Sequence, residues 1–192
     1  MAQAFVLGNG ISRQQVNLHS LRPQGQIYGC NALYRDFEPD VLVATDRPIA
    51  EQIQQSGYAL THCFYTRDPL PGQGAIRIPE SWWKFSSGQV AVALAAEQGH
   101  STVWMIGFDL GPTENNQFNN VYAGTEFYKA AGSVPTYTKN WITQTVSIAG
   151  QFPAVTFVRV MGLTTATVPE FHSVSNIESV SMQQFVQQLN NG

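Results

Sequence analysis

Short, nearly continuous apolar runs recur along the chain, each followed by a polar or glycine-containing stretch. Six of them read as strands, at residues 4–7, 26–30, 41–45, 60–65, 103–107 and 155–160. Runs this short and this uniformly apolar suit strands that are covered on both faces. Between them lie segments with helical spacing and helix punctuation. Asp46-Arg47-Pro48 opens one with an N-cap and an early proline, and Gly57 closes it. Ser86 and Gln89 stand at capping-box spacing before a run rich in alanine and valine, which Gly99 stops. Residues 137–149 read as a third helix ended by Gly150. A fourth starts at Ser181 with Gln184 as its box partner, and places Met182, Phe185, Val186 and Leu189 on one buried stripe.

Strands alternating with helices predict an α/β fold: a single doubly wound, mostly parallel, Rossmann-like sheet. There are no repeats or low-complexity linkers, so residues 1–192 are expected to form one nucleotide-binding domain. Two stretches read as loose, residues 68–85 and 111–135, and loops that long inside a compact domain are usually functional.

Composition narrows the partners. Charged residues make up only 12% of the chain and the net charge is −3, so no basic field is available to hold a nucleic-acid backbone. No run approaches the roughly 20 apolar residues of a membrane span. The start, Met1-Ala-Gln-Ala-Phe5, has neither the basic region nor the long apolar core of a signal peptide, and a soluble, cytoplasmic protein is expected. Cys30 and Cys63 are read as free thiols in a reducing compartment. The sequence is compatible with a homo-oligomer.

Candidate chemistry concentrates where strands end. The first strand runs into Gly8-Asn9-Gly10-Ile11-Ser12, a turn whose backbone amides could face an anion. It is an incomplete dinucleotide motif. The third glycine position holds Arg13, and no carboxylate follows about twenty residues on, where a ribose partner belongs. Asn31, at the end of strand two, offers a paired donor and acceptor to a base or ribose, or is simply a turn residue. Ser86-Ser87-Gly88 precedes a helix and reads as an anion site or as a plain cap. Asp109 follows the fifth strand within Gly107-Phe108-Asp109, where it is an Asx-type turn residue or a group facing the cleft. His19, His62, His100 and His172 show no metal-ligand spacing, so surface or packing roles are expected of them. Trp82-Trp83, Tyr122, Tyr128 and Tyr137 pack, or stack on a base or sugar.

The order Gly8-Asn9-Gly10-x-Ser12, Cys30-Asn31, Ser86-Ser87-Gly88, Gly107-Phe108-Asp109 resembles the bacterial sialyltransferases that use CMP-sialic acid. It also resembles Rossmann-like proteins near the archaeal 6-hydroxymethylpterin pyrophosphokinases. The resemblance implies that Gly8, Asn9, Gly10, Ser12, Asn31, Ser86, Ser87 and Gly88 contact a nucleotide or nucleotide-sugar such as a CMP-sugar. It implies metal-independent glycosyl transfer, with tyrosines on the phosphate and a histidine base after the Gly-x-Asp turn. No histidine lies between His100 and His172, so Asp109 stands in as the candidate base and Tyr122 and Tyr137 as the candidate tyrosines. A binding module without catalysis is the alternative. Another is pyrophosphokinase-type phosphoryl transfer, with Asp46 and Asp109 sharing Mg²⁺.

Overall fold

The computed structural model describes residues 2–191. Among them, eight strands form one sheet: β1 (Gln3–Leu7), β2 (Gln26–Cys30), β3 (Val41–Ala44), β4 (Cys63–Thr66), β5 (Ile76–Arg77), β6 (Thr102–Ile106), β7 (Thr156–Met161) and β8 (Ile177–Ser181). Their order is β5-β4-β3-β2-β1-β6-β7-β8 and every pairing is parallel. Four α-helices cover it: α1 (Arg47–Gln55), α2 (Ser87–Glu97), α3 (Lys139–Gln151) and α4 (Met182–Asn191).

The strand pattern explains the two layers of helices. Along β1, Ala4 and Val6 face one core while Phe5 and Leu7 face the other, so alternate residues bury on opposite sides. On the first side pack α2 and the Ile148–Ala149 end of α3. On the second side pack Ile49, Ala50 and Ile53 of α1 and Phe185 of α4. The sheet is therefore doubly wound. The chain reverses direction across the sheet between β1 and β6, and in open α/β sheets the ligand crevice opens outside the carboxyl ends of the strands at such a point.

Several boundaries differ from the sequence pattern. Strand four begins at Cys63 rather than at residue 60, because Gly57 turns left-handed (φ 79°) and residues 58–60 close a 3-10 turn that leaves Leu60 exposed. Two strands were not foreseen. β5 is a two-residue edge strand inside the first loose stretch, and β8 is an edge strand whose polar residues face outward. Helix α3 starts two residues later than expected and runs through Gly150, which is not left-handed, to end at Gln151. The Ser181–Gln184 box forms as expected: Gln184 N–H donates to Ser181 Oγ (3.2 Å) and Ser181 N–H to Gln184 Oε1 (2.9 Å). Among the described residues of that helix only Phe185 is fully buried; Met182, Val186 and Leu189 are half-buried. Cys30 and Cys63 are free. No helix among the described residues is long and apolar enough to cross a membrane.

Candidate functional site

The turns after β1 and β6 touch each other, and glycine makes this possible. A Cβ on Gly8 would lie 2.6 Å from the Gly107 carbonyl oxygen, and Gly107 is left-handed (φ 73°) against the Gly8 backbone. Two of the amides expected to face an anion, those of Gly8 and Gly10, are spent in this contact. Gly8 N–H donates to Ile106 O (2.8 Å) and Gly10 N–H to Gly107 O (2.9 Å). The chain continues as a 3-10 turn, Ile11–Gln15, rather than as the α-helix of a dinucleotide site.

The anion held by this turn is the protein's own. The Asp109 carboxylate, 3% exposed, accepts from Ser12 N–H (3.0 Å), the Ser12 hydroxyl, the Thr164 hydroxyl (2.6 Å) and the Thr165 hydroxyl (3.2 Å). Ser12 therefore serves Asp109 and does not line the cleft. Beneath lies Arg159 of β7, 1% exposed, whose guanidinium donates to the carbonyls of Phe108 (2.9 Å), Asp109 (2.9 Å) and Ala166 (2.8 Å). Burial lowers the Arg159 pKa to about 10. Arg13 explains the missing third glycine. It is buried and donates to Gly8 O (3.2 Å), Asn9 Oδ1 (2.7 Å) and the Tyr122 hydroxyl (3.0 Å), which in turn donates to Asp36 (2.5 Å).

Beside this knot opens a cleft of about 430 Å³, within the size range of small-molecule sites. It brings together Gly8, Asn9, Gly10, Asn31, Ser86, Ser87, Gly88 and Asp109 from three strand ends and a helix start. Tyr122 and Tyr137 are not among its lining residues, whereas Tyr128 is. A side pocket of about 290 Å³ continues from it between Asn31, Asp46, Pro48, Ile49, Phe127 and Tyr128. Cys30 lines the cleft as a neutral thiol, because burial pushes its pKa up to about 12.

The start of α2 is organised differently from the expected capping box. Ser86 occupies the N-cap without a side-chain bond, and its N–H donates to Gln144 Oε1 of α3 (2.9 Å) instead of to Gln89. Ser87, the next residue, does the connecting. Its hydroxyl is bonded to Thr45 N–H (2.9 Å), to Thr45 Oγ1 (2.9 Å) and to Asn31 Oδ1 (2.9 Å). Asn31 sits left-handed (φ 53°); its oxygen accepts from Ser87, and its Nδ2 has no partner among the described residues. The backbone amides of Ser87, Gly88 and Gln89 have no acceptor among the described residues. Arg67, unforeseen and just ahead of the first loose stretch, donates to Trp83 O (2.7 Å), Phe85 O (2.9 Å) and Thr45 O (3.3 Å). It lines the cleft and has no carboxylate partner among the described residues. Gln89, read from sequence as a cap partner, lines the cleft too.

This arrangement reverses what capping alone predicts for the two serines. Ser86→Ala should cost less than about 0.5 kcal/mol, because no cap bond is lost. Ser87→Ala should cost about 2 kcal/mol, because it strands the buried Thr45 N–H. Urea denaturation of both variants measures this, and an equal loss would show that Ser87 is no more than a cap neighbour.

Of the remaining candidates, Trp82 and the histidines stay outside the cleft and Asp46 does not. Trp82 is buried packing, with Nε1–H on Glu97 Oε1 (2.8 Å). His100 bonds Tyr28 and Gln26 through Nε2, and none of the four histidines lines the cleft. Asp46 is exposed, makes no cap bond, and lines both cleft and side pocket. No group of three His, Cys, Asp or Glu side chains among the described residues could hold a metal ion. With four donors on it, Asp109 offers a cation no open coordination position, which leaves only Asp46 of the expected Mg²⁺ pair. No family model matches the chain, and neither does any curated protein or solved structure.

Proposed function

We propose that the protein binds a nucleotide or nucleotide-sugar in this cleft, with the phosphate at the start of α2. The observation that carries this reading is the set of three unpaired amides at Ser87, Gly88 and Gln89, on an eleven-residue helix whose dipole favours an anion. Arg67 supports it with a positive charge that no carboxylate neutralises. Asn31 Nδ2 adds one donor suited to a phosphate or ribose oxygen. The resemblance to CMP-sialic-acid-dependent sialyltransferases makes CMP the first ligand to try.

A glycosyl transfer is the second reading, and one observation moves its base from Asp109 to Asp46. Of the two carboxylates lining the cleft, only Asp46 is without a hydrogen-bond donor among the described residues. A proton-accepting role needs an oxygen within reach of the acceptor hydroxyl, and the Asp109 oxygens are already occupied.

Thermal shift against CMP, UMP, AMP, GMP and NAD, with and without Mg²⁺, tests the binding. A mononucleotide at a hundred times its dissociation constant should add about 2.7 kcal/mol of stability, and more than NAD adds. Stabilisation by NAD alone would overturn the reading. Release of CMP from a CMP-sugar separates turnover from simple binding.

A further inference from the structure

We infer that Gln89 is the residue that reads the ring of the bound nucleotide, an inference that rests on the nucleotide reading above. Gln89 is 3% exposed, yet its side-chain amide has no hydrogen-bond partner among the described residues. Native interiors rarely tolerate such a group without a reason. It is not sealed in. Among the described residues the fully enclosed side-chain atoms without partners are the Tyr58 hydroxyl and His100 Nδ1, so the Gln89 amide keeps an opening, and the cleft is what it lines.

Local chemistry explains why this amide is free. At the third position of a helix behind a serine N-cap, glutamine ordinarily reaches back to the cap N–H. Gln184 does this at α4, where its Oε1 accepts from Ser181 N–H. At α2 that N–H is taken by Gln144 of α3, which also reaches Lys84 O (3.5 Å). The neighbouring helix has relieved Gln89 of its capping task and left one donor and one acceptor side by side in the cleft.

That pair complements a planar heterocycle with an adjacent donor and acceptor, as a nucleobase edge has. Asn31 suits this less well, because its oxygen already accepts from Ser87. The surroundings fit a ring: Phe108 packs its edge 3.4 Å from where a Gly88 Cβ would lie, and Trp141 lines the same cleft. The phosphate would sit on the Gln89 backbone amide and its two predecessors, while the side chain of the same residue meets the base.

Isothermal titration of CMP, UMP, AMP, GMP and ribose 5-phosphate against the wild type, Gln89→Met and Gln89→Leu tests the assignment. The tightest mononucleotide should lose about tenfold or more in affinity in both variants, and its preference over the other bases should collapse. Ribose 5-phosphate should stay within about twofold, and the melting temperature should hold, since no internal bond is lost. Unchanged nucleotide affinity in both variants would overturn the inference and leave the nucleotide reading standing. An equal loss for ribose 5-phosphate would also overturn it, by placing Gln89 on the phosphate. Failure of the wild type to bind any of the five would end the nucleotide reading itself.

Discussion

Asp109→Ala should cost about 4 kcal/mol of folding stability, the largest loss expected from any cleft residue. The carboxylate is 3% exposed and ties Ser12 of the first turn to Thr164 and Thr165 of the segment after β7. Removing it strands four donors. It also opens a gap against Gly10, where a Cβ would lie 2.5 Å from the Asp109 carboxyl carbon. Asp109→Asn keeps the volume but turns an amide N–H₂ towards hydroxyls that were donating, and should cost about 2 kcal/mol. Chemical denaturation measures both. A general base in an otherwise intact site would lose turnover in Asp109→Asn with its denaturation midpoint unchanged, and that outcome would return Asp109 to the catalytic role its sequence position suggested.

Arg159→Met should cost about 3–5 kcal/mol, although Arg159 does not itself line the cleft. Methionine fills much of the volume but leaves the carbonyls of Phe108, Asp109 and Ala166 without their donors in a buried site. Arg159→Lys should recover only part of this, since a single ammonium cannot match a planar guanidinium reaching three separate oxygens. The Asp109 turn is held from both directions, by Arg159 on its carbonyl and by hydroxyls on its carboxylate. Loss at Arg159 should therefore couple with loss at Asp109. A double variant is expected to be less destabilised than the two single losses added together. A loss below about 1 kcal/mol in Arg159→Met would mean that water replaces the guanidinium and that the turn holds without it.

Both expectations show where reading the sequence stopped short. The run Ala4–Leu7 could be recognised as a buried strand, and Gly8–Gly10 as its turn, because apolar continuity and glycine are local signals. That the turn's amides bond the turn after β6 was not local. It follows from β1 lying beside β6, across 97 residues from Ser12 to Asp109. Without that pairing, an acidic residue after a strand reads as a candidate base. With it, Asp109 is the anion that the turn already holds. Arg13 shows the same limit: in the sequence it only spoils a motif, and in the fold it bonds Asn9 and Tyr122.

The helix starts make the contrast in a single pair. Ser181–Gln184 and Ser86–Gln89 have the same spacing, and only the first closes its box. The difference is Gln144, a residue of α3 brought next to Ser86 by packing of the two helices on one face of the sheet.

By itself, the sequence determined the alternation of strand and helix, the parallel sheet that follows from it, and the collection of Gly8, Asn31, Ser87 and Gly88 at one sheet edge. These depend on periodicity and on right-handed connection, which neighbouring residues encode. Tertiary structure alone decided which polar groups remain free. Hydrogen-bond capacity is finite, and a donor or acceptor is available to a ligand only when nothing else in the fold has used it. Packing spent the amides of Gly8 and Gly10 and the oxygens of Asp109, and it left the α2 amides and the Gln89 side chain without partners among the described residues, in a cleft that Arg67 also lines.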